Sequence, residues 1–356
     1  MGSASRGAAV KPRRAMLVAA VLALAALALA GCGASLGKGD PSSPDTLTLY
    51  NAQHEQTTNA LIKAFTAKTG IDVRVKSDDE SVLTAQIEQE GDRSPADVFF
   101  TENSNWLQQL DDRGMLSKVD ASTLAHVPAA ESAPNGDWVG VSKRFSVLIY
   151  NPSKISASQL PKTVMQMASP RYKGKLELAP GETDFWPVIQ SIVHAEGQAA
   201  ALHWLKGIKA NAGSDDNAPD NETLVSDVSK GLSDMGLINH YYYYRLRAEL
   251  GASSVHAKLA EFAPGDPGSV QDVSGAAILK SSKHQADAQK FLAFLTSPAG
   301  QRVLARSESF EYPLAAGVAP NPALPPASSF HPNPITPAQI GTGLEARNLL
   351  RQAGLI

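Results

Sequence analysis

The sequence has 356 residues, of which 43% are hydrophobic and 19% are charged, so it is long enough to build two domains with hydrophobic cores. Its formal net charge at pH 7 is -3, and it contains no tract rich in lysine and arginine. These properties exclude the basic surface expected of a protein that binds nucleic acid.

The N-terminal segment predicts export from the cytoplasm. Basic residues up to Arg14 precede an apolar run from Ala15 to Ala30, which is the pattern of a signal peptide, and we expect residues 1–31 to have this role. The run ends in Leu-Ala-Gly-Cys, which resembles a bacterial lipobox and implies that Cys32, the only cysteine, carries a lipid. Residues 32–45 are rich in Gly, Ser, Lys, Asp and Pro and predict a flexible tether to the membrane.

Alternating strand and helix patterns follow and predict an α/β fold with mixed, mostly parallel sheets flanked by helices. In chain order, the expected elements are a strand at Thr46–Tyr50, a helix through Leu61 and Phe65, a strand at Asp72–Val75, a helix at Ser81–Gln89, a strand at Asp97–Phe100 and a helix at Ser104–Arg113. Two long β-rich segments, Arg144–Tyr150 and Val270–Leu279, flank a second α/β alternation. This arrangement indicates that one lobe is inserted into another.

Four consecutive tyrosines, Tyr241 to Tyr244, stand out because the whole chain has only eight. A phenolate is a hard anionic oxygen donor, and a trivalent iron ion favours such donors over thiolates. Tyrosines also cluster simply because their rings pack in a core while their hydroxyls reach water. The cluster alone therefore does not decide between a metal site and ordinary packing.

Two further side chains that can bind metal each follow a predicted strand. His54 comes just after the first strand, and Glu102 just after the strand that ends near Phe100. Ligands of open α/β sheets bind outside the carboxyl ends of the strands. We therefore expect His54 and Glu102 to converge on one cleft.

Three motifs together resemble the periplasmic ferric-iron-binding proteins of the ABC-transporter solute-binding superfamily. They are YNAQH at Tyr50–His54, ADVFFTE at Ala96–Glu102 and INHYY at Ile238–Tyr242, and the resemblance extends from about Thr46 over nearly all of the chain. It implies a two-lobed, type II-like periplasmic-binding-protein fold whose lobes are joined by two crossing strands. We predict an N-terminal lobe of residues 46–145 with 272–325, and a C-terminal lobe of residues 146–271 with 326–356.

The resemblance also implies a ligand set for Fe(III): His54, Glu102, Tyr241 and Tyr242. One carboxylate and two phenolates carry three negative charges, which would neutralise a trivalent cation held away from water. Four protein ligands leave two positions of an octahedral ion open. The family commonly fills these with an exogenous anion or water.

The residues expected around that anion are less well matched. Asn221 and Asn239 match family asparagines that contact a bound phosphate, although Asn221 is equally well explained as a helix N-cap. Thr183 is another candidate for anion or outer contacts, and Tyr243 for an extra phenolate.

The turn that carries Thr183 departs from the family pattern. Where the family has a Ser-Gly-Ala-type turn, this chain has Pro180–Phe185, which includes Glu182 and Asp184. These carboxylates would repel a phosphate. Phosphate, carbonate, a citrate-like chelate and water all stay open at this point.

The sequence thus predicts an extracytoplasmic binding protein of an ABC importer, anchored to the cell membrane through Cys32. Its expected partners are an ABC permease and its ATPase, and we expect a monomer. The alternative is the same scaffold binding another small solute, such as an organic anion, a polyamine or a sugar, with the tyrosines stacking on it. A hydrolase using Glu182 and Asp184 lacks a second catalytic element, so we expect no enzyme.

Overall fold

The computed structural model describes residues 46–212 and 217–356. The predicted signal peptide, the tether and Cys32 lie outside these residues. Within the two ranges, none of the helices has the length and apolar character needed to cross a membrane.

Strands and helices alternate through the first lobe, as the sequence predicts. The strands are β1 Thr46–Ala52, β2 Asp72–Ser77, β3 Val98–Thr101, β4 Leu116–Ser117, β5 Trp138–Tyr150, β6 Leu176–Glu177, β7 Met235–Asn239, β8 Lys258–Ala260, β9 Gln271–Leu279 and β10 Tyr312–Pro313. The helices are α1 Glu55–Thr69, α2 Glu80–Glu90, α3 Ser104–Asp112, α4 Ala121–Leu124, α5 Trp186–Glu196, α6 Gln198–Ala212, α7 Asn221–Lys230, α8 His240–Leu250, α9 Gln285–Thr296, α10 Pro298–Ala305, α11 Pro337–Ile340 and α12 Leu344–Ala353. A short 3-10 helix, Thr183–Phe185, directly precedes α5.

The strands are arranged in the order β2-β1-β3-β9-β5-β7-β6. β2, β1 and β3 are mutually parallel, as are β6 and β7. The sheets are mixed, as predicted, but most of their described pairings are antiparallel, because β9 and β5 run against every strand they pair with. The expectation of mostly parallel sheets fails because β9 lies between β3 and β5, β5 lies between β9 and β7, and all of these neighbours pair in antiparallel fashion.

β5 belongs to both sheets. Its residues from Trp138 to Phe145 pair with β9, and those from Ser146 to Tyr150 pair with β7. Beside this point, the backbone N–H of Ser146 donates to the carbonyl of Val270 at 2.9 Å. The fold is therefore two-lobed, with strand connections crossing between the lobes, whereas the exact lobe boundaries stay a prediction.

Burial of the central strands explains why they form. Every residue of β3 and of β7 is buried, as expected for strands covered by other elements on both faces. A cluster of buried residues that includes Phe145, Ile238, Tyr241 and Tyr312 lies around the junction of β7 with α8. This packing fixes the start of α8, where two of the predicted ligands lie.

Candidate metal centre

His54 and Glu102 meet at the carboxyl edge of the first sheet. β1 and β3 are neighbouring parallel strands in which Ala52 pairs with Thr101, so the residues just beyond them emerge side by side. The Nδ1 atom of His54 lies 2.9 Å from Oε1 of Glu102. The structure therefore brings together two side chains that the strand ends predicted to converge.

The other ring nitrogen of His54 has no partner among the described residues. Its Nε2 atom is buried and makes no hydrogen bond, although a buried ring nitrogen normally has a partner. Burial alone would lower the pKa of His54, but the charge of Glu102 and their hydrogen bond raise it. Burial likewise works against ionisation of Glu102, yet the charge of His54 holds the pKa of that carboxyl below its usual value. Nε2 can therefore bind a cation once it has given up its proton, while Nδ1 stays hydrogen-bonded to Glu102.

Tyr241 and Tyr242 reach the same place from the second lobe. They lie in the first turn of α8, directly after β7, and both are buried. Their ring centroids are 4.2 Å apart, and the ring of Tyr241 meets that of His54 edge-on at 5.3 Å. The hydroxyl of Tyr241 also lies 3.4 Å from Oε2 of Glu102. All four side chains predicted to bind iron are thus gathered in one place.

Asp184 links the two phenols. Its Oδ2 atom accepts a hydrogen bond from the hydroxyl of Tyr241 and another from that of Tyr242, each at 2.9 Å. Burial, and then the negative charge of Asp184, raise the pKa values of both phenols well above 10. Both tyrosines are therefore protonated at neutral pH when no metal is present. The sequence showed Asp184 only as a source of repulsion, and did not reveal that it contacts both phenols.

A fully buried arginine lies behind this carboxylate. The Nη2 atom of Arg144 is 2.9 Å from Oδ2 of Asp272 and 3.5 Å from Oδ1 of Asp184, while its Nη1 is 3.5 Å from Oε1 of Glu311. Arg144 also donates to the carbonyl of Glu102. These carboxylates raise its pKa despite burial, so it stays charged. Arg144 thereby connects the strand that crosses between the lobes with both sides of the site.

A second buried carboxylate supports the turn that carries Asp184. Oε2 of Glu80 accepts hydrogen bonds from Thr183 at 2.7 Å, from the side-chain amide of Asn103 at 2.8 Å and from the indole of Trp106 at 2.9 Å. Its Oε1 accepts from the backbone N–H of Asn103 at 2.6 Å. Thr183, a candidate for anion contact, is therefore engaged with Glu80 and ties the turn to the first lobe.

Two of the residues predicted to contact an anion, Asn221 and Asn239, lie close together. Asn221 and Asn239 both line a small pocket next to Asp184, with a volume of about 10 Å³. The side-chain nitrogen of Asn239 is buried there without a partner. Asn221 is the first residue of α7, and the N-cap is Asp220, whose side chain accepts from the N–H of Thr223. The N-cap interpretation of Asn221 is therefore wrong by one residue.

Tyr243 lies on a different face of α8, because successive helical residues are rotated by about 100°. Its hydroxyl accepts a hydrogen bond from Arg247 at 3.3 Å, and the guanidinium lies 5.3 Å from the centre of its ring. The structure does not bring Tyr243 to the group formed by the other two phenols.

The site opens into a cleft of about 600 Å³ whose lining includes His54, Glu102 and Tyr242. Within the described residues, no three His, Cys, Asp or Glu side chains are grouped closely enough to hold a metal by themselves. A metal ion held at this place would therefore need the two phenols as donors. Two phenolates, a carboxylate and an imidazole form a hard donor set suited to a trivalent cation.

Comparison with known proteins identifies the family of this chain. Residues 51–302 match the model of the bacterial extracellular solute-binding proteins. The Fe(3+)-binding periplasmic protein of Serratia marcescens is 36% identical over 322 residues, which cover 90% of this chain and 94% of that protein. The chain belongs to the ferric-iron-binding solute-binding proteins.

Solved structures of this family share the fold. Iron-bound HitA from Pseudomonas aeruginosa is 42% identical, with a TM-score of 0.83 over 87% of this chain and 100% of that chain. A Trichodesmium protein solved with iron and citrate ligands is 29% identical, with a TM-score of 0.77 over 87% and 99%. These relatives of the ferric-binding family are binding proteins, which confirms the expectation that the chain is not an enzyme.

Proposed function

We propose that this protein binds ferric iron in the cleft through His54, Glu102, Tyr241 and Tyr242, and delivers it to an ABC permease driven by its ATPase. The observation that carries the proposal is the meeting of these four side chains, which come from three distant parts of the sequence. Fe(III) is the cargo. An anion such as carbonate, citrate or phosphate, or water, would complete its coordination.

Charge supports a trivalent cargo. Ionised Glu102, Tyr241 and Tyr242 would carry three negative charges, matching those of Fe(III), and neutral ligation by His54 adds none. The phenols keep their protons at neutral pH until a strong Lewis acid displaces them. A sugar or a polyamine would not require two adjacent phenols to ionise.

Closure of the lobes would follow from the same arrangement. His54 and Glu102 are provided by one lobe and the two tyrosines by the other, so the metal gains all its bonds only when the lobes come together. The permease would then distinguish the loaded protein by its closed shape. We also propose that the protein acts as a monomer outside the cytoplasm.

The test is a titration of metal-stripped protein with ferric citrate, followed by visible absorbance, because phenolate-to-iron charge transfer colours the protein. We expect Tyr241→Phe and Tyr242→Phe each to change the band and to weaken binding by more than about 100-fold, since loss of outer-shell partners alone costs 10- to 100-fold. Tyr243→Phe is the matched control and should behave like wild type. A colourless wild-type protein would favour an organic solute instead.

We further propose that Cys32 anchors the protein to the membrane, as its lipobox implies. The expected result of Cys32→Ala is a protein released from the membrane fraction that still binds iron. If the variant stays with the membranes, the anchor lies elsewhere.

A further inference from the structure

One hydrogen bond joins the two walls of the cleft beside the proposed iron ligands. Glu80 is the first residue of α2, in the predicted N-terminal lobe, whereas Thr183 lies in the 3-10 turn before α5, in the predicted C-terminal lobe. The hydroxyl of Thr183 donates to Oε2 of Glu80 at 2.7 Å, and both side chains line the cleft. The bond therefore connects two surfaces that separate when the cleft opens.

The carboxylate of Glu80 is held in place by its own lobe. Five hydrogen bonds converge on it, and the residue is only 8% exposed. Four of them come from Thr101, Trp106 and the backbone and side chain of Asn103, at the end of β3 and the start of α3. Among the described residues, only Thr183 reaches it from the other lobe. Opening of the cleft would thus remove one donor and leave a buried carboxylate that still has its other partners, as a reversible contact requires.

Thr183 is linked on its other side to the phenols. The next residue, Asp184, accepts hydrogen bonds from the hydroxyls of Tyr241 and Tyr242, each at 2.9 Å. The hydroxyl of Thr183 also accepts from the side-chain nitrogen of Asn103 at 3.2 Å, so it both donates to the first lobe and accepts from it. Displacing Thr183 from the first lobe therefore has to move the turn that contacts both proposed ligands.

Aromatic packing shows that the lobes touch at the same boundary. The ring centroids of Trp106 in α3 and Trp186 at the start of α5 are 5.5 Å apart. Apolar contact of this kind has no preferred direction, whereas a hydrogen bond weakens steeply when its geometry changes. Losing a hydrogen bond to a carboxylate shifts an equilibrium by about tenfold or more. The bond between Glu80 and Thr183 therefore distinguishes the closed arrangement from one in which the lobes have begun to part.

We propose that Glu80 is a positioning residue of the iron site: it accepts the hydrogen bond of Thr183, holds the closed cleft together and slows the release of bound iron. The bond forms only after the lobes have met, so it lowers the rate of release and leaves the rate of capture unchanged. Glu80 is not itself a ligand in this role. The inference rests on the proposed function and adds to it the contact that sets how long the iron is retained.

The experiment measures release and capture separately. Iron-loaded protein is mixed by stopped flow with enough EDTA that the rate no longer depends on the EDTA concentration, and loss of the visible band gives the release rate. Appearance of the band when metal-stripped protein is mixed with ferric citrate gives the capture rate. Thr183→Val replaces the hydroxyl by a methyl group of similar size. It should release iron about tenfold faster, capture it within about twofold of the wild-type rate, and keep the wild-type band because the iron ligands are unchanged.

Three further variants identify the cause. Thr183→Ser keeps the donor and should retain the wild-type release rate. Thr296→Val is the matched control, because it removes a buried threonine hydroxyl from α9 that does not line the cleft, and it should release iron like wild type. Glu80→Ala removes the acceptor. In that background, Thr183→Val should speed release no further, since the bond that it removes is already absent.

The outcomes separate the two proposals. Wild-type protein that develops no band with ferric citrate overturns the proposed function. If iron binds but Thr183→Val releases it no faster than Thr183→Ser, or if Thr183→Val still speeds release in the Glu80→Ala background, the inference is overturned and the function stands. The comparison of the two Thr183 variants decides by itself if Glu80→Ala fails to fold.

Discussion

The imidazole of His240 accepts a hydrogen bond through Nδ1 from the backbone N–H of Phe145, at 3.2 Å, at the place where β5 passes from one sheet to the other. Because that N–H can only donate, Nε2 carries the ring proton and donates to the carbonyl of Phe310 at 3.0 Å. Burial lowers the pKa of His240 to about 3, which keeps it neutral. His240 thus ties the start of α8 to the crossing strand.

Replacing His240 by Leu should destabilise the fold without removing a metal ligand. Two buried backbone groups lose their partners, and each unsatisfied group costs about 1–3 kcal/mol. Urea unfolding of the metal-free protein measures the loss in unfolding free energy. His203→Leu, on the exposed side of α6, serves as the control. A His240 variant as stable as wild type would show that the two hydrogen bonds are not needed.

Arg144→Met should lower the free energy of unfolding more than the loss of an exposed arginine does. It leaves Asp272 and Asp184 buried without their cation, and breaking a buried ion pair typically costs about 3–5 kcal/mol. The matched control is Arg113→Met, which removes an ion pair with Glu88 from a side chain that is 55% exposed, and should cost no more than about 1 kcal/mol. Equal losses in thermal or urea unfolding would contradict the importance of the buried network.

The stability of the metal-free protein should depend on pH through Glu80. Burial, reinforced by the charge of Glu102, raises the pKa of Glu80 to about 7 from its ordinary 4.5. Between these values the folded protein holds a proton that the unfolded chain has lost. This contribution to stability is therefore complete below about pH 4.5 and is lost as the pH rises to about 7, at up to about 1.4 kcal/mol per pH unit.

The variant that checks this pH dependence is Glu80→Gln, which cannot ionise. Unfolding free energies of wild type and variant are compared from pH 4.5 to pH 8, and the variant should gain stability relative to wild type as the pH rises. Glu196→Gln, at the exposed end of α5, should show no such trend. A constant difference across the range would mean that Glu80 stays ionised, held by its hydrogen-bond donors.

Iron uptake should release protons, because the pKa values of Tyr241 and Tyr242 lie well above 10 before the metal binds. We expect at least two protons per Fe(III) at pH 7, so affinity falls as the pH is lowered, by about tenfold per pH unit for each proton released. A pH-stat titration with ferric citrate measures the number of protons released per iron bound. A blank titration without protein corrects for the protons that ferric citrate itself exchanges. Tyr242→Phe should release one fewer, and Tyr243→Phe the same number as wild type.

Residues that follow strands were the predictable part of the site. His54 and Glu102 could be placed together from the sequence because the ends of neighbouring parallel strands meet at one edge. The resemblance of the INHYY motif to the family pattern indicated Tyr241 and Tyr242. Asp184 could not be placed in this way. It lies in a short 3-10 turn without periodicity, and its contact with the phenols joins this turn to the start of α8 within the same predicted lobe, which no strand or helix pattern reports.

The sequence pattern also failed to predict the direction and the length of some strands. An alternation of strands and helices favours parallel pairing, but β9 pairs antiparallel with both β3 and β5. The sequence could not reveal this, because a hydrophobic run does not indicate which way a strand runs in its sheet. β5 begins at Trp138, six residues before the predicted start at Arg144. Its early part contains Gly140 at an irregularity of the pairing with β9, and a glycine within such a run obscures the strand pattern.

The sharing of β5 between two sheets has a consequence for how this chain can be divided. A cut on either side of Phe145 would remove an interior strand from one sheet. Neither fragment would contain all of the proposed iron ligands, since His54 and Tyr241 lie on opposite sides of the cut. With the proposed ligands divided in this way, we expect neither half to bind iron when it is expressed alone. Fusion partners and affinity tags belong at the C-terminal end or within exposed loops, and not at the boundary between the lobes.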